Sequence, residues 1–150
     1  MPSLFRASVV MLFAALLAML PGARASAQQA ATPPPPDPAL VLLPIPDRVE
    51  DILAQLKTRD SQAGELIMKG NFPAVYVPAF QAKDLAIALE TRLDTLTPAK
   101  RDLAAPAIRE IVRLAWLLDA AGDLGNRQAL LTAHQAFSAA VAQLIAAYKN

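Results

Sequence analysis

Apolar residues recur at intervals of three and four positions from Asp47 to the end of the chain, which is the spacing of one α-helical face. Glycines, prolines and short polar stretches divide this pattern into four segments. The short apolar stretch of residues 75–77 is bracketed by prolines and does not indicate a strand. The pattern therefore predicts an all-α domain over residues 47–150, which is long enough to fold as one unit.

The first two segments have recognisable ends. Helix 1 is predicted over residues 47–69, with Asp47 as its N-cap and Glu50 completing a capping box. Gly70 follows as a fitting C-terminal stop. Helix 2 is predicted over residues 78–93, because a proline at its first position suits the first turn of a helix.

The last two segments are also bounded by typical capping residues. Thr97 is the predicted N-cap of helix 3, with Pro98 at its first position. Gly122 is expected to end helix 3, and either Asp123 or Asn126 is expected to cap helix 4. Helix 4 then continues nearly to the end of the chain.

Short connections between four helices favour antiparallel neighbours. The expected architecture is an up-down-up-down four-helix bundle, and the alternative is a three-helix domain with helix 2 packed across its end. Pro106 lies inside the helix 3 pattern, where it either kinks the helix or marks its true start.

The N-terminal part of the chain has the features of an export signal. Residues 1–27 contain a basic residue, Arg6, a twelve-residue apolar run and a small-x-small site that predicts cleavage after Ala27, with residues 23–25 as a second option. The apolar run is too short to span a bilayer as a helix. The proline-rich residues 28–46 are expected to form a disordered tether or an extended ligand for a partner. The predicted cellular location is the bacterial periplasm.

Charge and cysteine content exclude several kinds of site. Removing Arg6 and Arg24 with the signal leaves 12 basic residues against 13 acidic ones, so the domain has no basic surface for nucleic acid. The sequence contains no cysteine, which excludes disulfides, cysteine nucleophiles and thiolate metal sites. There is no phosphate-binding glycine loop and no Gly-x-Ser-x-Gly sequence. We therefore expect a protein that is not an enzyme; the alternative is an enzyme whose carboxylates gather across helices.

Two polar residues fall near the predicted core. His134, the single histidine, lies on the apolar side of helix 4 and is a candidate ligand for haem or a metal ion. The alternative is a histidine at the core edge that bonds to a carbonyl or a neighbouring side chain. Asp60 falls where the apolar stripe of helix 1 should continue. It either turns into water or needs a partner, for which Arg109 and Arg113 of helix 3 are candidates.

The most apolar loop lies between helices 1 and 2. It either closes one end of the bundle or forms a surface for a ligand or partner. Trp116 lies beside the buried stripe of helix 3, as a core-edge residue or an interface anchor. The candidate interaction surface consists of Phe72, Val75, Tyr76, Phe80 and Trp116.

Helix 4 contains 21 residues without a Lys, Arg, Asp or Glu, which is long enough to cross a bilayer. However, polar residues gather on one face of this helix, whereas a lipid-facing helix does not need such a stripe. We therefore expect a helix of the bundle and no stable membrane span after export. The polar residues are Gln128, Thr132, Gln135, Ser138 and Gln143, and the opposite face carries Leu130, Phe137, Val141, Leu144 and Tyr148.

The order of helices across residues 47–150 resembles the cytochrome b562 type of periplasmic four-helix bundle. That family holds haem between a Met near the start of helix 1 and a His near the end of helix 4. Here Met68 lies in the last turn of helix 1, and His134 lies 16 residues before the terminus. The two side chains are therefore expected at different heights along the bundle axis, which does not suit the binding of one iron between them.

A second resemblance rests on two stretches, residues 68–76 and residues 117–123, each leading into an Ala- and Leu-rich helix. They are similar to small helical proteins of the bacterial envelope that accompany heavy-metal efflux systems. That family often has a His in its loop where this sequence has Tyr76. The resemblance implies an accessory protein linked to metal stress, with an envelope protein or a second copy as its partner.

Overall fold

The computed structural model describes residues 43–149, which contain four α-helices, two single 3₁₀ turns and no strand. The prediction of an all-α domain is therefore confirmed for these residues. The predicted signal and most of the predicted tether lie outside the described residues. The helices are α1 (Val49–Lys69), α2 (Tyr76–Glu90), α3 (Pro98–Asp123) and α4 (Arg127–Tyr148).

Helix α1 ends as predicted but begins later than predicted. Gly70 has a φ of 76°, and its N–H and that of Asn71 donate to the carbonyls of Ile67 and Leu66. This is a Schellman cap, which requires the left-handed backbone that glycine adopts without strain. The predicted capping box is wrong, because Arg48 occupies the N-cap position and makes no side-chain capping bond.

Helix α2 begins at Tyr76, two residues earlier than predicted, and ends three residues earlier, at Glu90. Pro78 still lies in the first turn, where its missing N–H leaves no hydrogen bond unmade. The connection before α2 contains a 3₁₀ turn, Phe72–Ala74, which packs closely on α3.

Helix α3 begins at Pro98 and continues through Pro106, which is exposed. The alternative in which the helix starts after Pro106 is therefore wrong. Gly122 does not end the helix, contrary to the prediction. It lies within the last turn, where a Cβ atom would stand 2.6 Å from the carbonyl oxygen of Phe72. Gly125, with a φ of 62°, makes the turn instead. Asn126 then caps α4 by accepting a bond of 3.0 Å from the N–H of Ala129.

The core lies between the four helices, because each helix contacts its neighbours in sequence and α1 also contacts α4. Within residues 43–149, no polar or charged residue is fully buried. Leu103 of α3 is 51% exposed although it is apolar, and the adjacent Ala104 lies in the core. The largest fully buried side chains are Ile52, Leu56, Ile67, Leu85, Leu89, Ile108, Ile111, Leu114, Leu118, Leu130, Phe137 and Leu144.

Among the described residues, α4 is the one helix that is long and apolar enough to cross a membrane by length and composition. A core helix of a soluble protein meets the same criterion, so this finding alone is weak evidence. The predicted inner face of α4 is buried, apart from Tyr148, which is half-buried. The Tyr148 hydroxyl donates a bond of 3.0 Å to the carbonyl of Leu89.

Candidate functional site

A polar cluster lies where α1 contacts α4, and we call it the α1–α4 polar cluster: Asp60, His134 and Ser138. The Ser138 hydroxyl donates to Oδ1 of Asp60 over 2.6 Å. His134 Nε2 lies 3.1 Å from the same oxygen and 3.1 Å from the backbone carbonyl oxygen of Asp60. The His134 and Asp60 side chains are only 21% and 20% exposed. The cluster therefore stands at the core edge, partly shielded from water.

Helical spacing brings these groups together. His134 and Ser138 are four residues apart and share one face of α4, and Gly64 lies four residues after Asp60 on α1. A Cβ atom on Gly64 would stand 2.8 Å from Cε1 of the His134 ring. Glycine inside a helix is destabilising relative to alanine, by roughly 0.5–1 kcal/mol. Here the missing side chain makes room for the imidazole.

The carboxylate of Asp60 favours the protonated form of the imidazole. The side-chain hydrogen bond to Asp60 raises the pKa of His134, burial opposes this shift, and the Asp60 carbonyl adds to it. This geometry differs from that of a serine hydrolase, in which the histidine stands between serine and carboxylate. In this cluster the serine bonds directly to the carboxylate. The arrangement is therefore suited to holding two helices together by charge-assisted hydrogen bonds.

The structure distinguishes between the alternatives for these two residues. Asp60 bonds to Ser138 and His134 and not to an arginine of α3. Arg113, one of the two predicted partners, pairs with Glu110 on its own helix. The partners of Asp60 come from α4, and the spacing of Asp60 and Gly64 opposite His134 and Ser138 is the sequence signal for that pairing. His134 takes the core-edge position, bonded to a carbonyl and a neighbouring side chain.

Binding of haem or metal at His134 stays a prediction. Its Nε2 atom faces Asp60, so a ligand at this nitrogen would have to displace the carboxylate. In the part of the chain that the structure describes, no three His, Asp or Glu residues stand together so as to hold a metal ion.

A second candidate site is formed by three aromatic rings on α2 and α3, and we call it the aromatic face: Tyr76, Phe80 and Trp116. The centroids of Phe80 and Trp116 are 4.7 Å apart, with the ring planes at 63°. Those of Tyr76 and Phe80 are 6.1 Å apart, at 73°. These edge-to-face contacts fix the rings to one another. Trp116 nevertheless leaves 58% of its surface exposed.

Charged groups stand beside the aromatic face. The Lys83 ammonium lies 5.7 Å from the centroid of the Phe80 ring, within the range of a cation–π contact. Lys83 also pairs with Asp84 at 2.5 Å. Arg109 is exposed and lies seven residues before Trp116, which places it on the same side of α3. The face therefore combines rigid rings with a lysine–aspartate pair and an exposed arginine.

Four of the five residues of the predicted interaction surface remain accessible, but Val75 does not. It is 0% exposed, because the N-terminal end of α2 turns its side chain into the core. Phe72 is half-buried against the core, and the other three form the aromatic face. The contact between Phe80 and Trp116 was not predicted, because it depends on how α2 and α3 are rotated about their axes.

An open groove between α3 and α4 has a volume of about 500 Å³. It is lined mainly by small and apolar side chains, including Leu117, Ala129 and Ala136, with Arg113 and Thr132 among its polar lining. The groove contains no clustered titratable groups that would support catalysis.

Comparison with protein-family models, with curated proteins and with solved structures finds no match for this chain. The two candidate sites are therefore judged on their own geometry.

Proposed function

We propose that this chain is exported to the periplasm and acts there as a non-catalytic interaction protein, with the aromatic face as its docking surface. The exposure of Trp116 supports this proposal most strongly. Tryptophan is enriched among the residues that contribute most to protein interfaces. Here its ring is held by Phe80 in a fixed orientation, so a partner would bind it with little loss of side-chain entropy.

The bundle itself would serve as a rigid support for this surface. We infer an up-down-up-down arrangement, because the connections are short and the contacts run from each helix to the next and from α4 back to α1. In this arrangement α4 belongs to the bundle and does not span a membrane. Its buried face and its polar bonds to α1 support that assignment.

Export is tested by expressing the full chain in a bacterial host and measuring the mass of the product in the periplasmic fraction. We expect a processed chain that starts at Gln28, because residues 25–27 form the cleavage site. An unprocessed chain that stays in the cytoplasm would contradict the proposed periplasmic location.

The docking surface is tested by placing a photo-crosslinking amino acid at position 116 in one variant and at position 103 in another. The two positions lie on the same helix, and their native side chains are 58% and 51% exposed. We expect a discrete adduct with an envelope protein or with a second copy at position 116 and none at position 103. Equal adducts at both positions, or none at either, would contradict an interaction surface at the aromatic face.

A further inference from the structure

The chain itself carries a segment that fits the aromatic face. Residues 35–38 read Pro-Pro-Asp-Pro, which is the Pro-x-x-Pro pattern of extended ligands that dock in grooves lined with aromatic side chains. Proline rings present flat apolar faces, and the polyproline II form is largely set before binding. Within residues 43–149, the aromatic face is the place where three aromatic rings meet.

We propose that residues 35–38 dock on the aromatic face of the same chain and cover Trp116. This inference rests on the proposed function, because it takes the aromatic face to be the docking surface and names the class of ligand, a proline-rich extended segment.

The length of the connecting chain supports docking within one molecule. The backbone carbonyl of Asp47 accepts a hydrogen bond from Arg92, just after the end of α2. Phe80 lies ten residues before that end, or about 15 Å along the helix axis at 1.5 Å per residue. Nine residues lead from Pro38 to Asp47, and at 3.1 Å per residue they span about 28 Å in a polyproline II form. The segment can therefore reach the rings with chain to spare.

The charges are also complementary. Asp37 is the one charged residue within residues 28–46. On the aromatic face the Lys83 ammonium is already paired with Asp84, whereas Arg109, on the same side of α3 as Trp116, is exposed. Burying the prolines against the rings would leave Asp37 free to pair with Arg109.

The sequence allows a direct test, because it contains one tryptophan and no cysteine. The variant Ala39→Cys, prepared as the chain from Gln28 to Asn150, takes a nitroxide spin label next to Pro38. The indole N–H of Trp116 then gives a single nuclear magnetic resonance peak to observe. We expect this peak to be lost with the oxidised label and to return when the label is reduced.

The combined change Pro35→Ser, Pro36→Ser and Pro38→Ser should restore the indole peak with the label still oxidised. The matched control, Gln28→Ser with Gln29→Ser, should leave the peak broadened. These positions precede the first helix, so circular dichroism should show the same helical content in both variants. An indole peak that stays sharp in the chain with native prolines would overturn the proposal.

A mixed sample shows whether docking occurs within one molecule. Isotope-enriched chain without the label is combined with labelled chain that is not enriched, and the indole peak should stay sharp. Broadening in this sample would mean docking on a second copy and would overturn the proposal. If the crosslink at position 116 forms while the label has no effect, the proline segment is not the ligand and the interaction function stands. If both fail, the proposed function fails as well.

Discussion

The α1–α4 polar cluster and the aromatic face show opposite uses of residues that sit at the edge of one core. In the cluster, polar groups turn inward, and Asp60 Oδ1 accepts bonds from both Ser138 and His134. In the aromatic face, large apolar rings turn outward, and Trp116 keeps more than half of its surface in water. In the polar cluster the hydrogen-bonding groups find partners within the chain. The aromatic face leaves exposed apolar surface that a partner or the tether can cover.

The comparison suggests how stability and binding are divided. A partly buried hydrogen-bonded charge is expensive to leave unpaired, so the polar cluster should matter for folding. An exposed ring is in contact with water in the folded chain, so its removal should change the free energy of unfolding little. The same removal should weaken the binding of a partner strongly. The following predictions test this division.

The largest effect is expected for Asp60→Ala. This change removes the carboxylate that accepts from both side chains, so that Ser138 loses its acceptor and His134 keeps only the backbone carbonyl of residue 60. We expect it to lower the free energy of unfolding by about 2 kcal/mol. The matched control is Glu65→Ala on the same helix, whose partner Lys69 is well exposed. That control should change stability by no more than about 0.5 kcal/mol. Denaturant unfolding followed by circular dichroism measures both, and equal effects would remove the polar cluster as a stabilising element.

Gly122→Ala should have the next largest effect. The new Cβ atom would stand 2.6 Å from the carbonyl oxygen of Phe72, so the turn that leads into the aromatic face must shift. We expect a loss of about 1–2 kcal/mol, since overpacking of this kind outweighs the better helix propensity of alanine. Asp123→Ala, an exposed change in the same turn, is the control. Unchanged stability in Gly122→Ala would show that the turn yields without strain.

The polar cluster should also make stability depend on pH. Because the pKa of His134 is raised above 6.5 in the folded chain, folding favours the protonated imidazole. Its contribution is fully present below the pKa of the unfolded chain and is lost as the pH rises through the folded pKa. The free energy of unfolding should therefore fall as the pH rises from about 6.5 through the raised pKa of His134 in the folded chain. In Asp60→Asn and in His134→Gln this decline should be smaller, and an unchanged decline would assign it to other groups.

The smallest effect on stability is expected for Trp116→Ala. The edge-to-face contact with Phe80 contributes roughly 0.5–1.5 kcal/mol, and the exposed part of the ring contributes nothing to folding. Leu103→Ala, the exposed apolar change on the same helix, should behave alike in unfolding measurements. A loss of several kcal/mol in Trp116→Ala alone would mean that the ring supports the fold, and the contrast between the two regions would disappear.

The helices could be predicted from the sequence because their apolar faces repeat over many turns. Single positions were harder. Gly122 looks like a helix stop, but its role is the close approach of the Phe72 backbone, which only the packed structure reveals. Leu103 is more apolar than Ala104, yet the smaller residue takes the core position. The rotation of α3 against its neighbours decides which of two adjacent residues is buried.

The candidate sites were predicted in part for the same reason. The helical angle of His134 placed it on the apolar side of helix 4, with a position at the core edge as one of two alternatives, and Tyr76, Phe80 and Trp116 were all singled out. The four-residue spacing of Asp60 and Gly64 matches that of His134 and Ser138. The pairing also depends on the vertical register of α1 against α4, which spacing within one helix does not fix. The contact between Phe80 and Trp116 likewise depends on the register of α2 against α3.

The short connection between α3 and α4 has a consequence for the order of folding. Three residues join these two long helices, so their contacts form between segments that are already close in sequence. The His134–Asp60 contact, by contrast, joins residues 74 positions apart and must close a long loop first. The α3–α4 hairpin should therefore assemble early, with α1 added late. A weakened contact between Asp60 and His134 should speed unfolding and leave the folding rate nearly unchanged.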